Sequence, residues 1–120
     1  MSDASTVQVH GRIVLPEDTV PAEAAAVVVQ VEDVSRADAP SVVIAEHRQL
    51  GVPLEAGGVL PFVVDVPADR VDPRASYSVR VHVDMSGSDG VEVGDLVSTQ
   101  SYPVLTRGYG DEASVDVQRV

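Results

Sequence analysis

The stretch Tyr77-Ser78-Val79-Arg80-Val81-His82-Val83-Asp84 alternates apolar and polar residues without interruption. In an extended chain successive side chains leave opposite faces, so this segment presents one apolar face and one wet face. Val is the commonest residue and aromatics make up only 3%, so an interior must be assembled from β-branched aliphatics, which suit a pleated sheet better than a helix. Similar strands are read at Val7 to Leu15, Ala26 to Glu32, Val42 to Gln49, Phe62 to Val66, Leu96 to Ser101 and Ser114 to Val120. Turn residues separate them: Pro16 to Pro21, Asp38-Ala39-Pro40, Gly57-Gly58, Asp72-Pro73, Ser86 to Gly90 and Gly108 to Gly110. The pattern predicts an all-β, single-domain β-sandwich of about seven mostly antiparallel strands, with residues 1–6 flexible in front of it. A helix at 22–29 is the competing local reading, because Ala is the best helix former; Val27-Val28-Val29 and the alternation of Val29 with Val31 pull the segment into strand.

At 120 residues the chain has the size of one domain, and a single core can hold it without disulfides or metal. It contains no Cys, which removes thiol nucleophiles, disulfides and Cys-ligated zinc. A net charge of -11 repels phosphate backbones and anionic lipid, so neither nucleic acid nor direct membrane insertion is expected. The amino-terminal residues lack a cationic start and a long apolar run, so as the sequence stands the expected location is cytoplasmic, with the envelope as the alternative for a truncated chain.

Side-chain chemistry is sparse. His10, His47 and His82 sit on different predicted strands, and the alternation turns His10 and His82 toward solvent, where a surface imidazole needs no function. Ser, His and acidic residues are present without a G-x-S-x-G elbow. Asp84, Ser86, Ser88 and Asp95 fall at positions one, three, five and twelve of a calcium loop, but Asp89 replaces the glycine of position six and Asp95 the bidentate Glu. A solvated acidic hairpin loop is the better reading, and no metal or other cofactor is expected. Val71-x-Pro73-x-x-x-Tyr77 resembles the corner of fibronectin-type sandwiches, in which a Tyr hydroxyl bonds backbone a few residues upstream. Asp33, Ser35 and Asp38 suit a local turn. Arg36 and Asp38 can at the same time present a charged recognition loop, with Arg107 as a second candidate on the loop after Val104 to Thr106.

Three segments also resemble one family in order and spacing: residues 33–46 (DVSRADAPSVVIAE), Pro61-Phe62 leading to residues 71–80 (VDPRASYSVR), and residues 102–108 (YPVLTRG). The chain is similar to the YbaY/YscW family of small bacterial lipoproteins, which includes the pilotin-type chaperones of type III secretion. That resemblance implies a β-sandwich and a non-enzymatic, protein-binding or chaperone-like role, with a secretin-like or envelope protein as partner. Family members usually begin with a lipoprotein signal and a lipidated Cys, neither of which is in this sequence, and residues 85–94 form a longer acidic loop than the family pattern has. The alternative is a small-ligand carrier or minor enzyme using a pocket between the sheets. A deep enclosed cavity would favour that alternative, and an exposed unpaired strand edge would favour protein binding. The oligomeric state is left open.

Overall fold

The hydrogen-bonded strand order is β3-β2-β5-β6-β8-β1-β4, with β7 beside β5. The strands are β1 Thr6–Val14, β2 Ala22–Asp33, β3 Val42–Leu54, β4 Val59–Pro67, β5 Tyr77–Asp84, β6 Leu96–Ser98, β7 Pro103–Val104 and β8 Glu112–Arg119, with a single 3₁₀ turn at Ala68–Arg70. This computed structural model describes residues 5–120. Of the residues expected to be flexible, 1–4 lie outside the described ones, whereas the Ser5 carbonyl accepts the Ala68 amide and Thr6 already pairs with Pro67.

Every strand pair is antiparallel except β1 with β8. The first part of β8, Glu112 to Asp116, runs parallel to β1, and its end, Val117 to Arg119, pairs with β6. One strand therefore crosses from one layer to the other and makes the sheet nearly closed, leaving β3 and β4 as its two edges. Between the layers Val29, Val31, Val64, Val79, Val81 and Val115 are each at most 2% exposed. The β-branched composition does what the sequence demands of it, filling a thin interior with side chains that have few rotamers to lose.

The segment with the helical alternative is strand β2. It is covered on both sides: Val27, Val29 and Val31 join the core, while Ala26 and Val28 are 2% and 7% exposed on the opposite face. A strand buried twice reads as a continuous apolar run, which explains why alternation is weak there. The predicted strand at 96–101 ends at Ser98, and the two residues of β7 were not foreseen, since Pro103 brings no amide donor and such a short rung has no periodicity to read.

The corner at Tyr77 forms as the sequence predicts. Its hydroxyl donates to the Arg70 carbonyl at 3.2 Å and accepts the Asp72 amide at 2.7 Å, with the residue 2% exposed. Tyr77→Phe keeps the ring and leaves that amide without its acceptor, so it should cost about 1 to 2 kcal/mol in urea denaturation. Equal midpoints for mutant and wild type would show that the hydroxyl carries no stability.

Candidate protein-binding site

Three loops at the Tyr77 end of β5 are stitched into one surface. The Val34 amide donates to the Ser76 carbonyl, and the Ser76 amide donates to Ser35 Oγ at 2.9 Å, joining the β2–β3 loop to the segment before β5. Thr106 Oγ1 donates to the Ala75 carbonyl, and Arg107 Nη2 donates to the Arg74 carbonyl, adding the β7–β8 loop. Within the first loop, Asp33 Oδ1 accepts both the amide (2.9 Å) and the hydroxyl (2.6 Å) of Ser35, so the turn chemistry read for these residues is present. Arg36 and Asp38 stand exposed on it, and Arg107 is exposed on the neighbouring loop at φ 61. Thus the structure brings the loops of the predicted site residues to one end of the sandwich. It adds Arg70 and Arg74, both exposed, which sequence reasoning missed. Four of the eight cationic side chains of a chain with net charge -11 are carried there, interspersed with Asp33, Asp38, Asp69 and Asp72, and Arg74 Nε meets Asp72 Oδ1 at 3.4 Å. No sequence signal could have found this grouping, because it depends on contacts between loops 31 to 42 positions apart.

The opposite end of β5 is built around two buried carboxylates. Asp84 and Asp95 are each 1% exposed. Asp84 Oδ1 accepts the amides of Ser86 (3.2 Å) and Gly87 (2.9 Å), and Oδ2 accepts that of Asp89 (3.1 Å). Asp95 Oδ1 accepts the Met85 amide at 2.9 Å, and Oδ2 meets the Glu92 amide at 3.0 Å and His82 Nε2 at 2.8 Å. Burial alone would raise both pKa values, but the amides, and for Asp95 first the His82 hydrogen bond, outweigh it and hold both carboxyls below the ordinary value. His82, expected to face solvent, is a correction: it stands on the outer face of β5 as the alternation requires, yet its side chain is only 14% exposed. Residues 85–94 roof that face, latched where Arg48 Nη1 meets Asp89 Oδ1 at 3.1 Å.

His82, Asp84 and Asp95 can bring one ligand atom each within 4.8 Å of one another, a metal-like grouping. Their chemistry points elsewhere, because five backbone amides already aim at the four carboxylate oxygens. The hydroxyls read as calcium-loop positions do not converge on them: Ser86 Oγ donates to Glu92 and Ser88 Oγ to the Gly90 carbonyl. This is a loop brace, in which carboxylates replace the missing ladder partners of a long connection.

Between the layers, near the edges β3 and β4, an opening of about 80 Å³ is floored by Ile13, Val27 and Val29 and lipped by His47 and Gln49. Pockets for drug-sized ligands run to roughly 300 Å³ and more, so this opening is small for a carrier. Among the described residues, the unpaired edge that would favour protein binding is present on β3.

Residues 4–117 match the family model described as type III secretion system lipoprotein chaperone (YscW). The chain belongs to the YscW family. Its fold is shared with an alternative pilotin from the type II secretion system of Vibrio cholerae, at a TM-score of 0.76 and 23% identity, over 97% of this chain and 98% of that one. No curated protein sequence is similar enough to count as a match. Membership of a family described as a lipoprotein chaperone supports a chaperone-like, protein-binding role.

Proposed function

We propose that this YscW-family domain acts as a pilotin-like chaperone that holds a secretin-like or other envelope protein through the arginine-bearing loop end. The observation that carries this reading is the convergence of Arg36, Arg70, Arg74 and Arg107 on three hydrogen-bonded loops. Exposed guanidinium groups on a braced surface can grip partner carboxylates by paired, directional hydrogen bonds, while the aspartates interspersed with them offer acceptors to partner cations. Asp38, beside Arg36, supplies an acceptor that fixes register in the same contact. Catalysis plays no part in this role, and the small inter-sheet opening gives the ligand-carrier alternative little support.

The test is titration of the domain against secretin-type proteins of its own host. Arg36→Ala should weaken binding about 30-fold, as truncation of an interface arginine worth about 2 kcal/mol does. Its urea midpoint should stay unchanged, because truncating an exposed side chain shifts stability by under about 0.5 kcal/mol. Equal affinity of mutant and wild type would make the loop mere scaffold.

A further inference from the structure

Among the described residues β3 ends the strand order and offers an unpaired edge. Edges of this kind recruit other strands unless they are blunted by proline, bulges or charge. The other edge, β4, carries Pro61 and Pro67. In β3 the blunting devices lie to either side of a regular run. The register with β2 jumps between Val31 paired to Ala45 and Glu32 paired to Val43, which leaves Ile44 as an extra residue, and Gly51 at φ 61 and Pro53 interrupt the strand further on. Between them, residues 46–50 are all exposed, and Leu50 is 70% exposed although it lies in a strand.

The run is complementary to itself. Glu46 and Arg48 share the outer face with Gln30 and Val28, their neighbours on β2, whereas His47 and Gln49 stand opposite the core residues Val29 and Val27. Two copies of β3 that extend one sheet must be related by a two-fold axis perpendicular to it, which keeps outer residues opposite outer residues. An axis through Glu46 sets that carboxylate against its own copy, and an axis through Arg48 does the same with two guanidiniums; like charges directly opposite are destabilising. An axis through His47 instead sets Glu46 against the partner's Arg48 and Arg48 against the partner's Glu46. It also places Ala45 opposite the partner's Gln49, and the pairing stops at the bulge, where Ile44 turns into the core. We propose that this domain self-associates by antiparallel pairing of β3 with β3 of a second copy, in the register centred on His47.

The existing contacts leave both charges available. Arg48 uses one nitrogen on Asp89 at 3.1 Å, and Glu46 accepts from Gln30 Nε2 through one oxygen at 2.9 Å. A guanidinium has five donors and a carboxylate two oxygens, so each can serve a second partner. The interface is one short strand pair and belongs with small, weak contacts, so association is expected on the order of tens of micromolar.

Sedimentation equilibrium near 0.15 M salt, where repulsion between the acidic chains is screened beyond about 8 Å, provides the test. Wild type should pass from monomer to dimer across the micromolar range. Glu46→Arg and Arg48→Glu should each weaken the dimer at least tenfold, while the double swap Glu46→Arg/Arg48→Glu, which restores opposite charges in the same register, should recover it. Far-ultraviolet circular dichroism and urea midpoints confirm that every variant is folded. A wild type that is monomeric up to about 0.5 mM overturns the proposal, as does a dimer indifferent to either single reversal or one that the double swap fails to restore. So does a monomeric wild type whose edge variants lose capture of a foreign protein, for then the edge serves another chain's strand.

Discussion

Gly11→Ala is expected to lower stability by about 4 kcal/mol, more than most single substitutions in a strand. Exchanging Gly for Ala usually helps an extended segment, because it removes freedom from the unfolded chain. Here the sign reverses. A Cβ at residue 11 would overlap the carbonyl oxygen of Ala113, its register partner on β8, and backbone cannot swing aside as a flexible side chain can. To admit the methyl, β1 and β8 must separate at the parallel rung, and β8 is the strand that joins the two layers. Separation there exposes core on both sides, including Val9, Ile13 and Val115. Gly110→Ala serves as the control: a Cβ there meets nothing within 4 Å and the residue lacks a positive φ, so its urea midpoint should stay within about 0.5 kcal/mol of wild type. A Gly11→Ala midpoint equal to that of the control would mean that the close approach of β1 to β8 is not required.

What could be read from the sequence, and what could not, follows from the range of the interactions involved. The alternation at Tyr77 to Asp84 is a local signal, and it placed β5 and its core face correctly, whereas on the face read as wet only Arg80 is exposed, with Ser78, His82 and Asp84 covered. The Tyr77 corner was legible for the same reason, since its partners are five and seven positions away. By contrast, Gly11 carries no local mark of its importance, because the atom that excludes a side chain belongs to Ala113. His82 shows the limit well: the face was right, yet exposure depended on residues 85–94 folding back over the sheet, and that is set by tertiary bonds to Asp84 and Asp95. At the proposed binding end, Arg36, Asp38 and Arg107 were recognisable as charged residues in turns. Their grouping with Arg70 and Arg74 was not, for it arises from loop-to-loop hydrogen bonds that have no period.

The second large effect is expected at Asp84. Asp84→Ala removes the acceptor of three loop amides from a site only 1% exposed, and each buried donor left unmade costs roughly 1 kcal/mol or more, so the loss should be about 3 kcal/mol. Asp84→Asn should lose about half as much: its remaining oxygen can still take Ser86 and Gly87, but its NH₂ then faces the Asp89 amide. The acid limb of the stability curve provides a separate readout. The Asp84 carboxyl is held below the ordinary 3.8 despite burial, because the Gly87, Asp89 and Ser86 amides stabilise its charge, and the same direction holds for Asp95. A carboxyl with a lower pKa when folded than when unfolded contributes its full stability above the unfolded value and loses it as pH falls through the folded one. Wild-type urea midpoints should therefore drop as pH is lowered past 3.8, and Asp84→Ala should show a shallower drop over the same interval. Loop cleavage gives the local counterpart: residues 85–94, freed from the brace, should become the first site cut by protease in Asp84→Ala while remaining resistant in wild type. An alanine variant with wild-type midpoint and an unchanged acid limb would show that the buried carboxylate does not brace the loop, and that His82 and Asp95 hold it without help.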